Sequence, residues 1–207
     1  TRRMADAGAD AALVVTPSYY RGRMDGPTLV RHFLSVAESS SLPIILYNVP
    51  ANTAVDLSAD AVIELSRHPN IVGIKDSGGD LVKMARIVGA CDPAFQVMAG
   101  SAGFFLAALS VGAVGVIAAL ANLAAPALVE LMEAHRRADP AAKMIQARLI
   151  PINAAVTSGF GVPGLKSAMD WLGMYGGPPR PPLLPLGEPE RDRIRRELTR
   201  AGLIADR

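Results

Sequence analysis

The sequence predicts an α/β fold built on a parallel sheet, and two observations carry that expectation. Five short apolar segments, most of them rich in valine and isoleucine, recur along the first 120 residues. Between them lie segments of helical periodicity joined by short loops, the pattern of strand–helix–strand units with right-handed crossovers. The strands read as nearly continuous apolar runs, as expected when helices cover both faces of a parallel sheet. The alternation alone leaves a closed barrel and a doubly wound sheet both open.

The elements follow in order. "TRRMADAGAD" (1–10) reads as the last turns of a helix ending near Gly8, and it opens without an initiator methionine, so further sequence is expected before Thr1. The first strand is "AALVVTP" (11–17). In "PTLVRHFLSVAES" (27–39), Pro27 suits a first helical turn and Leu29, Phe33 and Val36 share one face. The second strand, "PIILYNV" (43–49), is followed by "SADAVIELSRH" (58–68), where Ser58 is the expected N-cap. "IVGIKD" (71–76) and "DLVKMARIVG" (80–89), then "FQVMAG" (95–100) and "GFFLAALSVG" (103–112), repeat the unit. "AVGVIAAL" (113–120) is the fifth strand. After it the chain turns helical at 123–138, 140–158 with Pro151 inside, 163–173 and 188–201. The division expected is strands with their helices over 1–122 and a helical extension over 123–207. A Pro- and Gly-rich connector, "GMYGGPPRPPLLPL" (173–186), has no core pattern. Its "RPPLLP" (180–185) matches a polyproline ligand superficially, and packing along the surface is the reading preferred.

Composition narrows the function classes. A formal charge of +2 over 207 residues gives no electrostatic footprint for nucleic acid. The basic run "RDRIRRELTR" (191–200) carries Asp192 and Glu197 and reads as a solvated helix face. Residues 93–129 hold no charged side chain, but "AGSAG", "VGAVG" and "ANLAAP" punctuate the run, so buried α/β core is expected rather than a membrane span. Cys91 is the only cysteine, which fits a reducing compartment and, with the alanine- and arginine-rich composition, a cytoplasmic protein. His32, His68 and His135 show no metal-ligand spacing, so no metal site is expected.

Three strands end in polar residues: "TPSYYRG" (16–22), "YNVPANT" (47–53) and "KDSGGD" (75–80). Functional groups collect at the carboxyl ends of strands in parallel α/β proteins. Tyr47 and Lys75 occupy corresponding ends of consecutive strands, so both can face one cavity. Apolar surroundings disfavour an ammonium ion and free a nucleophilic amine, which makes a Schiff base with a carbonyl substrate. A phenol beside it can move protons. The alternative is equally open on pattern alone: a lysine snorkelling to solvent beside a tyrosine that caps the core.

"LYNVPANT", "VGIKDSGGD" and "GSAGF", with "VTPSYYRGR" and "FGVPGLKSAMDWLG" in order along the chain, closely resemble the Schiff-base-forming class I lyases of the dihydrodipicolinate synthase and N-acetylneuraminate lyase superfamily. The resemblance implies a (β/α)8 TIM barrel with C-terminal helices. It covers five strands of eight: the family's first three β/α units and their Gly-Thr/Ser-Thr-Gly-Glu-type motif have no counterpart here, which would leave the strands at 11–17 and 113–120 as edges. It further implies that Lys75 is the Schiff-base lysine and Tyr47 the proton-shuttling tyrosine. Tyr19 matches a tyrosine that reaches into a neighbouring subunit's site, so a homodimer or homotetramer is expected. Ser77, Gly100, Ser101 and Ile117 match positions around the substrate. No metal or organic cofactor is implied, because an iminium on Lys75 withdraws the electrons.

Position 52 bears on the substrate, a small 2-keto acid. Synthases of the family carry an arginine there to pair with a carboxylate, and Asn52 lacks that charge and bidentate geometry. With "VPANT", "KDSGGD" and "FGVPGLKSAMDW", the resemblance is closest to 4-hydroxy-2-oxoglutarate aldolase, which yields pyruvate and glyoxylate. Related 2-keto-3-deoxy sugar-acid aldolases and dihydrodipicolinate synthase itself are the alternatives within the family. A non-catalytic remnant that binds keto acids is the alternative outside enzyme function.

Overall fold

The computed structural model describes residues 1–205. Along the chain run α1 (Arg2–Asp6), β1 (Ala12–Val15), a 3-10 turn at Arg21–Arg23, α2 (Gly26–Ser39), β2 (Ile44–Asn48), α3 (Pro50–Thr53), α4 (Ala59–Leu65), β3 (Ile71–Asp76), α5 (Leu81–Ala90) and β4 (Gln96–Ala99). There follow a 3-10 turn at Ala102–Phe104, α6 (Phe105–Ser110), β5 (Gly115–Val116), α7 (Ala121–Arg136), α8 (Ala141–Ala154), a π turn at Ala155–Gly159, α9 (Gly161–Trp171) and α10 (Glu188–Arg200). The residues form two compact units, one of 1–100 with 107–116 and the other of 101–106 with 117 onward.

The first unit holds the whole sheet. Its five strands are parallel and stand in the order β1-β2-β3-β4-β5. Every crossover therefore advances in one direction, the winding of a barrel wall, whereas a doubly wound sheet reverses direction at its switch point. β1 and β5 are the edges. β5 keeps only two residues of the expected 113–120, and the third short helix, α3, was not foreseen from hydropathy because four residues carry no period.

The helices start where side chains can cap them. Asp25 accepts a bond from the Thr28 amide at 3.0 Å, Ser58 from Ala61 at 3.3 Å, and Asp80 from Lys83 at 2.9 Å. They bury Leu29 and Phe33, Val62 and Leu65, and Met84 and Ile87. The sheet buries Ile44, Leu46, Ile74, Val97 and Ala99. The expectation of strands covered on both faces is corrected here. β2 alternates buried and half-buried residues, and Leu13 and Val15 of β1 are more than 40% exposed. Among the described residues one face of the sheet carries the core, and on the other face the residues are half-buried or exposed apart from Gly73.

β3 contains an irregularity that positions everything after it. Ile44 pairs with Ile71, but Ile45 pairs with Gly73, so Val72 is an extra residue. Ile71 and Ile74 are both buried although they stand three apart, which a strand of period two cannot do without a bulge. The bulge restores the core face for Ile74 and turns Lys75 to the opposite one. Gly73 sits at this point because an added Cβ would lie 2.4 Å from the Gln96 carbonyl oxygen of β4.

In the second unit α7 to α10 bury Leu128, Leu131, Leu149, Ile152, Ala168, Ile194 and Leu198. α7 is broken at Ala124, two residues before Pro126. α8 tolerates Pro151 and passes into the π turn, where the Thr157 hydroxyl donates to the Asn153 carbonyl at 2.6 Å. No helix among the described residues is long and apolar enough to cross a membrane.

Because backbone cannot yield to a new Cβ at Gly73, Gly73→Ala is expected to lower stability by about 2–3 kcal/mol. Gly89→Ala, at an exposed site of α5 with nothing within 4 Å, is expected to raise it by up to about 1 kcal/mol. Urea unfolding of the two variants beside the parent chain measures both.

Candidate active site

The site forms at the carboxyl ends of β2 and β3. Tyr47 and Lys75 are register partners across the two strands, both half-buried on the face away from the helices. Their side chains meet there, with the Lys75 ammonium nitrogen 4.0 Å from the centroid of the Tyr47 ring. A primary amine and a phenol thus stand side by side on rigid elements, the two groups that imine formation with proton transfer uses.

On the reverse face lies a polar cluster that sequence reasoning missed. Asn48 and Asp76 follow Tyr47 and Lys75 by one residue, so they point to the helix side, where both side chains are fully buried. The Asn48 amide nitrogen donates to Asp76 Oδ2 at 2.9 Å and to Asp56 Oδ1 at 2.7 Å, and its oxygen accepts from the Leu57 amide at 2.9 Å. Lys83 Nζ reaches down from α5 to the same two carboxylates, Asp56 at 2.8 Å and Asp76 at 2.9 Å. Asp76 Oδ1 accepts from the Gly78 amide at 2.7 Å. Burial alone would push the Lys83 ammonium below the ordinary lysine range. Hydrogen bonds and charge from Asp56 and Asp76 outweigh it and hold the group above that range.

A signal for this cluster existed in α5. Lys83 and Ile87 stand four apart on one helix face, so a lysine among buried residues required a carboxylate partner. Val82 beside it is 80% exposed while Lys83 is 8% exposed, the reverse of their hydropathy order.

The turn after β3 brings two more of the expected residues together. The Ser77 amide donates to the Asn48 carbonyl at 2.8 Å, and the Gly100 amide to the Asp76 carbonyl at 2.7 Å. An added Cβ at Gly100 would lie 1.9 Å from Ser77 Oγ, so only glycine lets the loop after β4 pass so close. Asn52 is exposed on α3, and Tyr19 is 91% exposed with its ring edge-on to Tyr20 at 5.0 Å. Ser101 and Ile117 belong to the second unit. Ser101 Oγ accepts from the Gly103 amide at 3.2 Å and from Asn153 Nδ2 at 3.1 Å, so both its lone pairs are engaged and its proton is left to donate. Ile117 follows β5 and is 38% exposed. Among the described residues, no three His, Cys, Asp or Glu side chains are grouped to hold a metal.

Comparison with known proteins gives the family. The sequence model of the Dihydrodipicolinate synthetase family matches residues 1–201. The chain belongs to that family. A 4-hydroxy-tetrahydrodipicolinate synthase of Methanoculleus marisnigri is 39% identical over 204 residues, which cover 98% of this chain and 69% of the relative. One of Methanothrix thermoacetophila is 41% identical over 202 residues, covering 97% and 68%. Among solved structures, the chloride-inhibited dihydrodipicolinate synthase of Acinetobacter baumannii, complexed with pyruvate, superposes with a TM-score of 0.91 at 35% identity. That match covers 99% of this chain and 70% of the other. The fold is thus that of the family's TIM barrels with their C-terminal helices, and the family's chemistry runs through a Schiff base on lysine with no separate cofactor. The names of these relatives support the synthase alternative rather than the expected closeness to 4-hydroxy-2-oxoglutarate aldolase.

Lys83 yields a pH test. Its proton is held more tightly in the folded chain than in the unfolded one, so its contribution is complete below the ordinary lysine value of about 10.4 and is lost as pH rises through the higher folded value. Unfolding midpoints followed from pH 8 to 11.5 are expected to fall above about pH 10.4. Lys83→Met, which strands the buried Asp76 carboxylate, is expected to lose about 3–5 kcal/mol at neutral pH and to lack that component of the alkaline fall.

Proposed function

We propose that this protein is a class I aldolase-type enzyme in which Lys75 forms a Schiff base with the pyruvate unit of a 2-keto acid and Tyr47 moves the proton. The supporting observation is the approach of the Lys75 nitrogen to within 4.0 Å of the Tyr47 ring centroid, on paired strands of a family fold. The amine adds to the C2 carbonyl and water is expelled, leaving an iminium. Loss of a C3 proton gives the enamine, whose C3 bonds to the carbonyl carbon of an aldehyde. Tyr47 supplies the proton to the resulting alkoxide, and water hydrolyses the imine to free the amine. Cleavage runs the same steps in reverse. Ser77 and Gly100 stand beside the keto acid in this reading, and Tyr19 serves a neighbouring copy's site in a homo-oligomer. The lone cysteine favours a reducing, cytoplasmic setting.

Two readings of the aldehyde follow from different observations. The names carried by the relatives favour condensation towards 4-hydroxy-tetrahydrodipicolinate. Asn52, exposed on α3 where a carboxylate-pairing arginine would suit that aldehyde, favours cleavage of 4-hydroxy-2-oxoglutarate to pyruvate and glyoxylate.

Incubation with pyruvate and borohydride, followed by peptide mass spectrometry, is expected to place the reduced adduct on Lys75; an unmodified Lys75 in folded protein would sink the mechanism. Lys75→Ala is expected to abolish turnover and Tyr47→Phe to slow it about 10²- to 10⁴-fold. A ratio of kcat/KM above one for 4-hydroxy-2-oxoglutarate over the dihydrodipicolinate precursors decides for the aldolase, and a ratio below one for the synthase. If cleavage is the reaction, Asn52→Arg is expected to move that ratio towards the precursors by about tenfold, the worth of one charged hydrogen bond. Trapping without turnover of either substrate would leave keto-acid binding alone.

A further inference from the structure

Asn48 and Asp76 have no part in the Schiff-base steps, yet their side chains are fully buried and every polar atom of both is engaged. We propose that Asn48 and Asp76, braced by Lys83 and Asp56, are positioning residues for the reaction: a directional clamp across β2 and β3 that selects the register in which Lys75 faces Tyr47. The proposal rests on the roles given above to Lys75 and Tyr47.

The bulge is what makes a selector necessary. Two registers coexist in this strand pair, one at Ile44 with Ile71 and another from Ile45 with Gly73 onward. If the first register ran on without the extra residue, Tyr47 would lie opposite Ile74, and Asn48 opposite Lys75. The amine would then turn towards the core and its phenol partner would be lost. Burying the Lys75 amine already disfavours that register, while the apolar neighbours in "IVGI" add little to the choice. A clamp with defined donors and acceptors discriminates well. The Asn48 amide nitrogen needs acceptors, and its oxygen needs the Leu57 N–H. Asp76 accepts from Gly78 on one oxygen and from Lys83 on the other, both of its own strand–helix unit, and only the observed register adds the Asn48 donor from β2.

Energetics point the same way. A buried ion pair is a weak contributor to stability, since well-packed apolar residues of similar volume often serve as well or better. Ile44, Leu46 and Ile74 fill the same face without charge. What the polar cluster adds is direction, and the Ser77 and Gly100 amides bound to the Asn48 and Asp76 carbonyls carry that direction into the loops of the site.

The test is a reciprocal exchange in the full chain. Asp76→Asn sets an amide donor against either Asn48 Nδ2 or the Gly78 N–H, and Asn48→Asp sets carboxylate against carboxylate. Together, N48D/D76N restores a donor–acceptor pair across the strands at unchanged net charge. Turnover and borohydride trapping of pyruvate are measured at a temperature where near-UV circular dichroism shows each variant folded. Each single variant is expected to lose kcat tenfold or more, to lose trapping at Lys75 less than kcat, and to keep KM for the keto acid within about threefold. The exchange is expected to recover at least a third of the parent kcat. Folded single variants with kcat within threefold of the parent would overturn the clamp, and so would an exchange variant that folds as stably as the parent but recovers no turnover. Should the single variants not fold, Asp56→Ala carries the test, because Asp56 is more than half exposed. A threefold or greater fall in kcat in the folded variant, at KM for the keto acid within threefold, supports the clamp, and a smaller fall overturns it. Absence of pyruvate trapping in the parent chain would instead strike the Schiff-base reading, so the two failures are distinct.

Discussion

The pairing of β2 with β3 is the constraint on which the rest depends. A strand has period two, so the face on which Lys75 emerges is decided by a single residue of register. Val72 is that residue. Its insertion allows Ile71 and Ile74 to share the core while Gly73 and Lys75 face away, and Gly73 accepts the close approach of β4 that follows. The amine and the phenol meet because a bulge stands three residues upstream of Tyr47's partner, on one strand only.

The two faces of the sheet divide the labour. Behind it, α2, α4 and α5 supply a core of leucine, isoleucine, methionine and phenylalanine whose packing is tolerant of detail. Only at the carboxyl ends of the strands does that core become polar, with Asn48, Asp76 and Lys83 buried beside it. In front of it stand Tyr47 and Lys75, half-buried and held by backbone rather than by their own hydrogen bonds. Rigid elements carry the amine and the phenol, while the loops at Ser77 and Gly100 are tied to the strand ends through their backbone amides. This is the usual economy of parallel α/β proteins, in which strand ends present chemistry and the body of the strand presents volume.

Much of this was legible in the residues. Ser58 capped the helix it was expected to cap, the five strands fell within their apolar segments, and the two strand ends carrying Tyr47 and Lys75 proved adjacent. The bulge was not read, because "NIVGI" satisfies a strand in either register and only the buried state of both Ile71 and Ile74 distinguishes them. The polar cluster escaped for another reason. Its members lie up to 35 positions apart in sequence, and each has an ordinary local explanation: Asp56 as a residue before a helix, Lys83 as a helix lysine, Asn48 and Asp76 as strand-end polar residues. Local pattern reports propensity; a three-dimensional hydrogen-bond network has no local pattern to report. The strand coverage was misjudged because continuous apolar character records what a face can bury, not what lies against it.

That open face has a colloidal consequence. β1 is an edge whose Leu13 and Val15 are more than 40% exposed, so a row of unpaired peptide groups runs beside apolar side chains. Such an edge is a template onto which any extended segment, a second copy included, can add as a sixth strand. Encounters of that kind grow with the square of protein concentration. For this chain, association of that kind turns on the four residues of β1, the direct neighbour of the strand that carries Tyr47.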